Sequence, residues 1–206
     1  MKNICLDLDD FSVLNNRLDL LLKIKEHYPN FKVSLFTVPF DVAREVNPQA
    51  RLHREGALKK IKENLSWMQF IPHGLTHMTD EMEKCDYELF KKVMISIKEA
   101  FDKDGLPFVK GFKAPYWLWN KDVVKALDDE GWWGAIDRNQ PGMLKTKKTY
   151  VYSHSLEEAF HKSNLDTIKL HGHIDGVSEN DLEKNFTNIF KLPTDTEWHF
   201  VTDFIT

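Results

Sequence analysis

Short apolar runs that break into polar clusters recur along this chain, and stretches of helical period separate several of them. Ile4 to Leu8, Lys32 to Val38, Trp67 to Ile71, Val109 to Phe112, Trp133 to Ile136, Thr149 to Tyr152, Thr167 to Leu170 and His199 to Val201 each read as a strand. Leu14, Leu18, Leu21, Leu22 and Ile24 follow the first run at helical spacing, and further helices are predicted over Arg54 to Leu65, Asp122 to Glu130 and Asp181 to Phe190. The clearest helix covers Asp86 to Lys103, where Leu89, Val93, Ile97 and Phe101 recur every four residues. Strands that alternate with helices predict an α/β fold with a mainly parallel sheet, open or closed into a barrel.

Composition narrows what such a fold can do. With 42% hydrophobic residues, 14 Phe and 6 Trp, the chain can build a core, which excludes disorder. No repeat or linker divides it, so one domain over residues 1–206 is expected. A net charge of -4, from 28 Lys+Arg against 32 Asp+Glu, argues against a nucleic-acid partner. No apolar stretch approaches the ~20 residues of a membrane span, and Asp7, Asp9 and Asp10 interrupt the apolar start that a secretory signal needs, so a cytoplasmic protein is expected. Cys5 and Cys85 lack metal or disulfide spacing and are read as free thiols.

In sheets of this kind ligands gather at the carboxyl ends of the strands. Four polar clusters fall there: Asp9-Asp10, His73 to His77, Lys113 to Tyr116, and His171 to His173. Adjacent carboxylates raise one another's pKa, and a nearby cation resolves the conflict. His73 and His77, at i and i+4, converge if the segment makes one helical turn. With Asp10 they form a two-His, one-carboxylate set, which leaves positions open for water and substrate. A solvent-exposed histidine pair beside Asp80 is the plainer reading.

The ordered motifs Leu8-Asp9-Asp10-Phe11, His73-Gly74-Leu75-Thr76-His77, Phe112-Lys113-Ala114-Pro115-Tyr116 and Leu170-His171 resemble those of the NodB-type polysaccharide deacetylases. Trp198-His199-Phe200-Val201-Thr202 is similar to that family's last strand, so the resemblance covers nearly the whole chain. It implies a distorted (β/α) barrel of about seven strands and a single divalent metal, zinc by ligand type, with Co, Ni or Mn able to accept the same donors. It implies Asp9 as catalytic base, Asp10, His73 and His77 as metal ligands, Lys113 as the group that holds the base, the Tyr116 N–H as oxyanion donor and His171 as general acid. Asp137, in Trp132-Trp133-Gly134-Ala135-Ile136-Asp137, stands near the position of the aspartate that tunes the acid histidine, about one residue out of step. His173 competes with His171, and the alternation in Ile168-Lys169-Leu170 leaves the choice open.

The chain departs from the family at Gly74 and Met78, which replace a hydroxyl residue and a proline, at Lys113, which replaces an arginine and loses its planar fork, and at Trp117, where a glycine is common. Trp117 and Trp133, with His173, are candidate sugar contacts; core packing is the competing reading for the indoles. Asn120 reads as a helix cap. The implied reaction removes acetyl groups from an N- or O-acetylated sugar. Competing functions are a small non-sugar amide as substrate, a carbohydrate-binding protein without turnover, and a non-haem iron oxygenase, whose usual all-β architecture the alternating pattern opposes.

Overall fold

The computed structural model describes residues 2–41, 48–140, 142–175 and 179–206. Its centre is β1 (Asn3–Phe11), which pairs in parallel with β2 (Val33–Thr37) and β8 (Thr167–His173). β3 (Met68–Pro72) extends the sheet beyond β2, β7 (His154–Ser155) extends it beyond β8, and β9 (Glu197–His199) pairs with the first residues of β1. A second sheet holds β4 (Gly111–Phe112), β5 (Trp133–Ile136) and β6 (Thr149–Val151). A single parallel bridge between His73 and Lys113 joins β3 to β4 and links the sheets. The architecture is thus the expected α/β distorted barrel with parallel strands, nine among the described residues rather than about seven. The two-residue β7 gives too short a pattern to read from sequence.

Around the strands run α1 (Leu18–His27), α2 (Pro48–Lys62), α3 (Tyr87–Asp104), α4 (Lys121–Asp129) and α5 (Glu179–Ile189). Asp86 caps α3 by accepting the Leu89 N–H, and Asn120 caps α4 by accepting those of Asp122 and Val123, as its sequence position predicts. The apolar stripe of α3 is rotated from the one read in the sequence. Leu89 is exposed, whereas Phe90, Met94, Ile97 and Phe101 are buried, with Phe90 edge-on to Phe112 of β4. The last strand also differs: β9 ends at His199, and Val201–Phe204 forms a single 3-10 turn.

The side chains of β1 alternate between two apolar clusters. Ile4, Leu6 and Leu8 enter the larger one, beneath the helices, while Cys5 enters a smaller one with Phe36, Ile71, Trp133, Tyr150 and Val201. This smaller cluster floors the barrel interior, and the odd-numbered positions Asp7 and Asp9 lie above Cys5 on the same strand face. Trp133 therefore packs in the core: it is almost fully buried, stands edge-on to Phe36 and Tyr150, and lies so close to Gly111 that a Cβ there would meet its ring at 2.2 Å. It does not present a face to a sugar. Both cysteines are free and buried. Among the described residues no helix is long and apolar enough to cross a membrane.

Candidate metal and catalytic site

Strict alternation would put Asp9 and Asp10 on opposite faces of β1. The structure avoids this with a bulge. The register with β2 slips between Leu8↔Leu35 and Phe11↔Thr37, so Asp9 and Asp10 together oppose Phe36 alone, and Asp10 takes a left-handed conformation at φ 64. Both carboxylates then reach the same cavity.

Backbone pairing brings the second and third clusters together. The Lys113 N–H donates to the Pro72 carbonyl, and the Gly74 N–H donates to the Lys113 carbonyl, zipping the ends of β3 and β4. His73 and His77 converge, with ring centroids 4.8 Å apart, but not through a helical turn. Left-handed residues at Gly74 (φ 64) and His77 (φ 61) fold the loop instead, and Glu81 fastens it by accepting the N–H groups of Leu75 and Thr76. A Cβ on Gly74 would stand 2.5 Å from Pro115 Cγ, which explains the absence of a hydroxyl residue here. Gly74→Thr is expected to destabilise the fold by about 1–3 kcal/mol, as read by thermal melting. Unchanged melting would show that the loop relaxes freely.

The Nε2 atoms of His77 and His73 lie 3.0 and 3.5 Å from the same Asp10 oxygen, Oδ1, which is buried and makes no well-formed hydrogen bond. His73 Nδ1 sits 3.1 Å from the Lys113 carbonyl; donation to it leaves Nε2 with a free lone pair. Burial alone would raise the Asp10 carboxyl, but the two imidazoles hold it far below the usual range. Burial would likewise lower His77, and Asp10 outweighs it, carrying His77 above its ordinary value. Three ligand atoms within 4.8 Å of one another suit a divalent cation. Charge agrees: the almost fully buried Asp7 and Asp9, together with Asp10, face one buried ammonium, Lys113, so protons on the imidazoles or a bound cation must offset the rest. Asp9, His171 and His173 form a second set of the same spacing.

Asp9 has a different partner. Lys113 Nζ lies 2.5 Å from its Oδ2, over the ring of Trp117 at 3.7 Å, while Oδ1 is buried without a hydrogen bond. Burial pushes Asp9 up, but Lys113, with His171, His73 and His173, brings it down to about 2. His171 Nε2 stands 4.0 Å from the same Oδ2. Its other nitrogen, Nδ1, is 2.7 Å from Asp7 Oδ1, and the Tyr150 hydroxyl donates to Asp7 Oδ2 at 2.8 Å. The carboxylate on the back of His171 is thus Asp7 rather than Asp137. Asp137 accepts the Tyr152 hydroxyl and the Asn139 N–H; it makes no hydrogen bond to His171 and feels its charge from across the Tyr152 ring, which lies 4.8 Å from the imidazole. The signal for Asp7 was present in the sequence, since it shares a strand face with Asp9 at i, i+2.

Tyr116 and Trp117 follow β4 in left-handed conformations, φ 55 and 62. Tyr116 is exposed, with its ring 5.2 Å from that of His77. Of the six non-glycine residues at positive φ among those described, Asp10, His77, Tyr116 and Trp117 surround this cavity, so backbone strain is concentrated there. Beside it opens a cleft of about 360 Å³ lined by Trp117, Arg138, Tyr152, Glu158, His171 and His173 among others. His173 is exposed and Trp117 half-buried, so both can meet a ligand.

Against solved structures the chain is similar to the Bc1960 peptidoglycan N-acetylglucosamine deacetylase in complex with a hydroxamate, 4-naphthalen-1-yl-N-oxidanyl-benzamide (TM-score 0.66, 14% identity, 98% of this chain and 86% of that one). It is also similar to a family 4 acetyl xylan esterase from Clostridium thermocellum in complex with a cobalt ion (0.64, 15%, 98% and 89%). A further likeness is to BA3943, a CE4 family pseudoenzyme from Bacillus anthracis (0.61, 14%, 98% and 64%). No protein-family model and no curated protein matches the sequence. Along nearly its whole length, the chain has the distorted-barrel fold shared by these family 4 deacetylases, esterases and pseudoenzymes.

Proposed function

We propose that the chain belongs to the NodB-type deacetylases and is a metal-dependent hydrolase that removes acetyl groups from N- or O-acetylated sugars. The observation that carries this reading is the division of labour between adjacent carboxylates, Asp10 against two imidazoles and Asp9 against an ammonium. A divalent ion held by Asp10, His73 and His77, zinc in the first instance, would supply Lewis acidity toward the acetyl carbonyl and the attacking water. Asp9 is the base. Lys113 keeps it ionised through Oδ2, and Oδ1 is free to take the water's proton.

The Tyr116 backbone N–H is assigned to the oxyanion, where a fixed dipole needs no reorganisation. His171 gives its Nε2 proton to the leaving amine or alcohol, Nδ1 being committed to Asp7. The sugar lies in the adjoining cleft, with one apolar face on Trp117 and its hydroxyls near His173. His171→Ala is expected to slow turnover about 10²-fold or more, and His173→Ala by less than about tenfold; the reverse ranking of rates would move the acid to His173.

A second reading, a carbohydrate-binding protein with little turnover, is favoured by one observation: Lys113 lies close enough to Asp9 to compete with water for it. Acetate release from N- and O-acetylated oligosaccharides decides between them, with zinc-loaded protein and an Asp9→Asn control. Release that vanishes in the control supports the deacetylase. Zinc bound at one equivalent with no release from any sugar overturns it, in favour of the binding protein or a small non-sugar amide as substrate.

A further inference from the structure

We propose that Asp7 is the positioning residue of the general acid, holding the His171 ring in the one tautomer and orientation that turn Nε2 toward the reacting groups. This rests on His171 being the acid, and it gives Asp7 the role that sequence spacing would hand to Asp137.

The argument starts from what Asp7 costs. It lies inside the barrel, only 1% exposed, one layer above an apolar floor that includes Cys5, Phe36, Ile71 and Trp133. A carboxylate there gives up its hydration, and a structural hydrogen bond to an imidazole needs no charge, because a serine or asparagine could accept it. The chain nevertheless keeps an aspartate and equips both of its oxygens: Oδ1 faces His171 Nδ1 at 2.7 Å and Oδ2 accepts the Tyr150 hydroxyl at 2.8 Å. Tyr150 comes from the other sheet, so the carboxylate is gripped from two sides and cannot rotate away from the ring. Burial and the charge of Asp7 hold the Tyr150 phenol well above its ordinary value, so it remains a donor.

The consequence for His171 is geometric. An acceptor-only group at Nδ1 places a proton there in every neutral state of the ring and leaves Nε2 as the atom that gains and loses the catalytic proton. That atom points at Asp9 Oδ2, 4.0 Å away, on the cleft side. Lys113 Nζ, 3.4 Å from Nδ1, offers only donors and cannot replace Asp7 as the acceptor. Asp137 is occupied with Tyr152 and Asn139. The Asp7 position also follows from β1 itself: Asp7 and Asp9 are two residues apart on one strand face, and Asp7 is paired in register with His171 on β8. One strand thus carries the base and, one layer below it, the support of the acid.

The test combines histidine NMR with kinetics. In metal-free, 15N-histidine-labelled protein above the imidazole titration range, the His171 resonances, assigned by their loss in His171→Gln, are expected to report Nδ1–H and an unprotonated Nε2. Asp7→Asn, whose amide oxygen goes to the donating Tyr150 hydroxyl so that its NH2 faces His171 Nδ1, is expected to lose this preference and to lower kcat on the order of 10³-fold with KM within about threefold. Asp137→Asn should lower kcat by less than about tenfold. Wild-type His171 protonated at Nε2 instead would overturn the proposal without any variant, as would Asp7→Asn keeping kcat within threefold or Asp137→Asn matching its loss. If wild-type protein releases no acetate at all, the deacetylase reading fails, and the NMR alone still decides whether Asp7 sets the tautomer.

Discussion

Asp9→Asn is expected to bind one equivalent of zinc and to turn over at least about 10³-fold more slowly, whereas Asp10→Asn is expected to lose zinc and activity together. The two carboxylates are neighbours in sequence, yet their surroundings differ in kind. Asp10 Oδ1 collects two imidazole nitrogens within 3.5 Å, a set that only a cation or protons can satisfy, and the amide that replaces it carries no charge. Asp9 is tied to Lys113, and its loss removes a base while leaving Asp10, His73 and His77 in place. Metal analysis and acetate release on the two purified variants check this. Equal metal loss in both would show that the cavity binds through Asp9, for example with His171 and His173, and would overturn the division of roles.

Lys113→Met is expected to destabilise the metal-free protein by about 3–5 kcal/mol near neutral pH, because it leaves Asp9 charged, buried and without its closest partner. The pH dependence gives a sign to test. In the wild type Asp9 is held at about 2, below the ordinary 3.8, so its pairing contributes stability above about pH 4 and loses it as the pH falls toward 2, about 2 kcal/mol in all. Without Lys113, burial, the largest influence on Asp9, is expected to outweigh His171, His73 and His173 and raise the carboxyl; a raised group contributes stability below its unfolded value and loses it as the pH rises. The stability gap between the two proteins should therefore widen from about pH 3 to pH 7, as read by denaturant melts. A gap independent of pH would mean that the ammonium is not what keeps Asp9 ionised.

Much of this was legible in the sequence. Strand runs ending in Asp9-Asp10, Pro72-His73 and Phe112-Lys113 mark the carboxyl ends of β1, β3 and β4, because periodicity and polar breaks are local signals, and the structure brings those ends to one cavity. What escaped was tertiary. The buried stripe of α3 lies beyond local periodicity, because its register depends on Phe112, far along the chain. Trp133 has the composition of a sugar platform and the surroundings of a core residue, and only Gly111 and Tyr150 tell the two apart. Asp7 sat in plain view in an acidic run, but its partners lie 143 and 164 residues away.

The extra residue in β1 has a consequence for how such a chain can change over generations. The offset that turns both carboxylates into the cavity lies in the backbone, in the slipped pairing with β2 and the twist at Asp10. Fold and chemistry are therefore separable, but unequally at the two positions. Position 9 makes no special demand on the backbone, but losing its carboxylate leaves the Lys113 ammonium buried and unpaired, so it can drift only together with position 113. Position 10, at positive φ, is comfortable only for Asp, Asn or Gly. Descendants that have lost turnover should accordingly change positions 9 and 113 together and keep a narrow alphabet at position 10, a scar by which an inactive copy of this barrel would still reveal its ancestry.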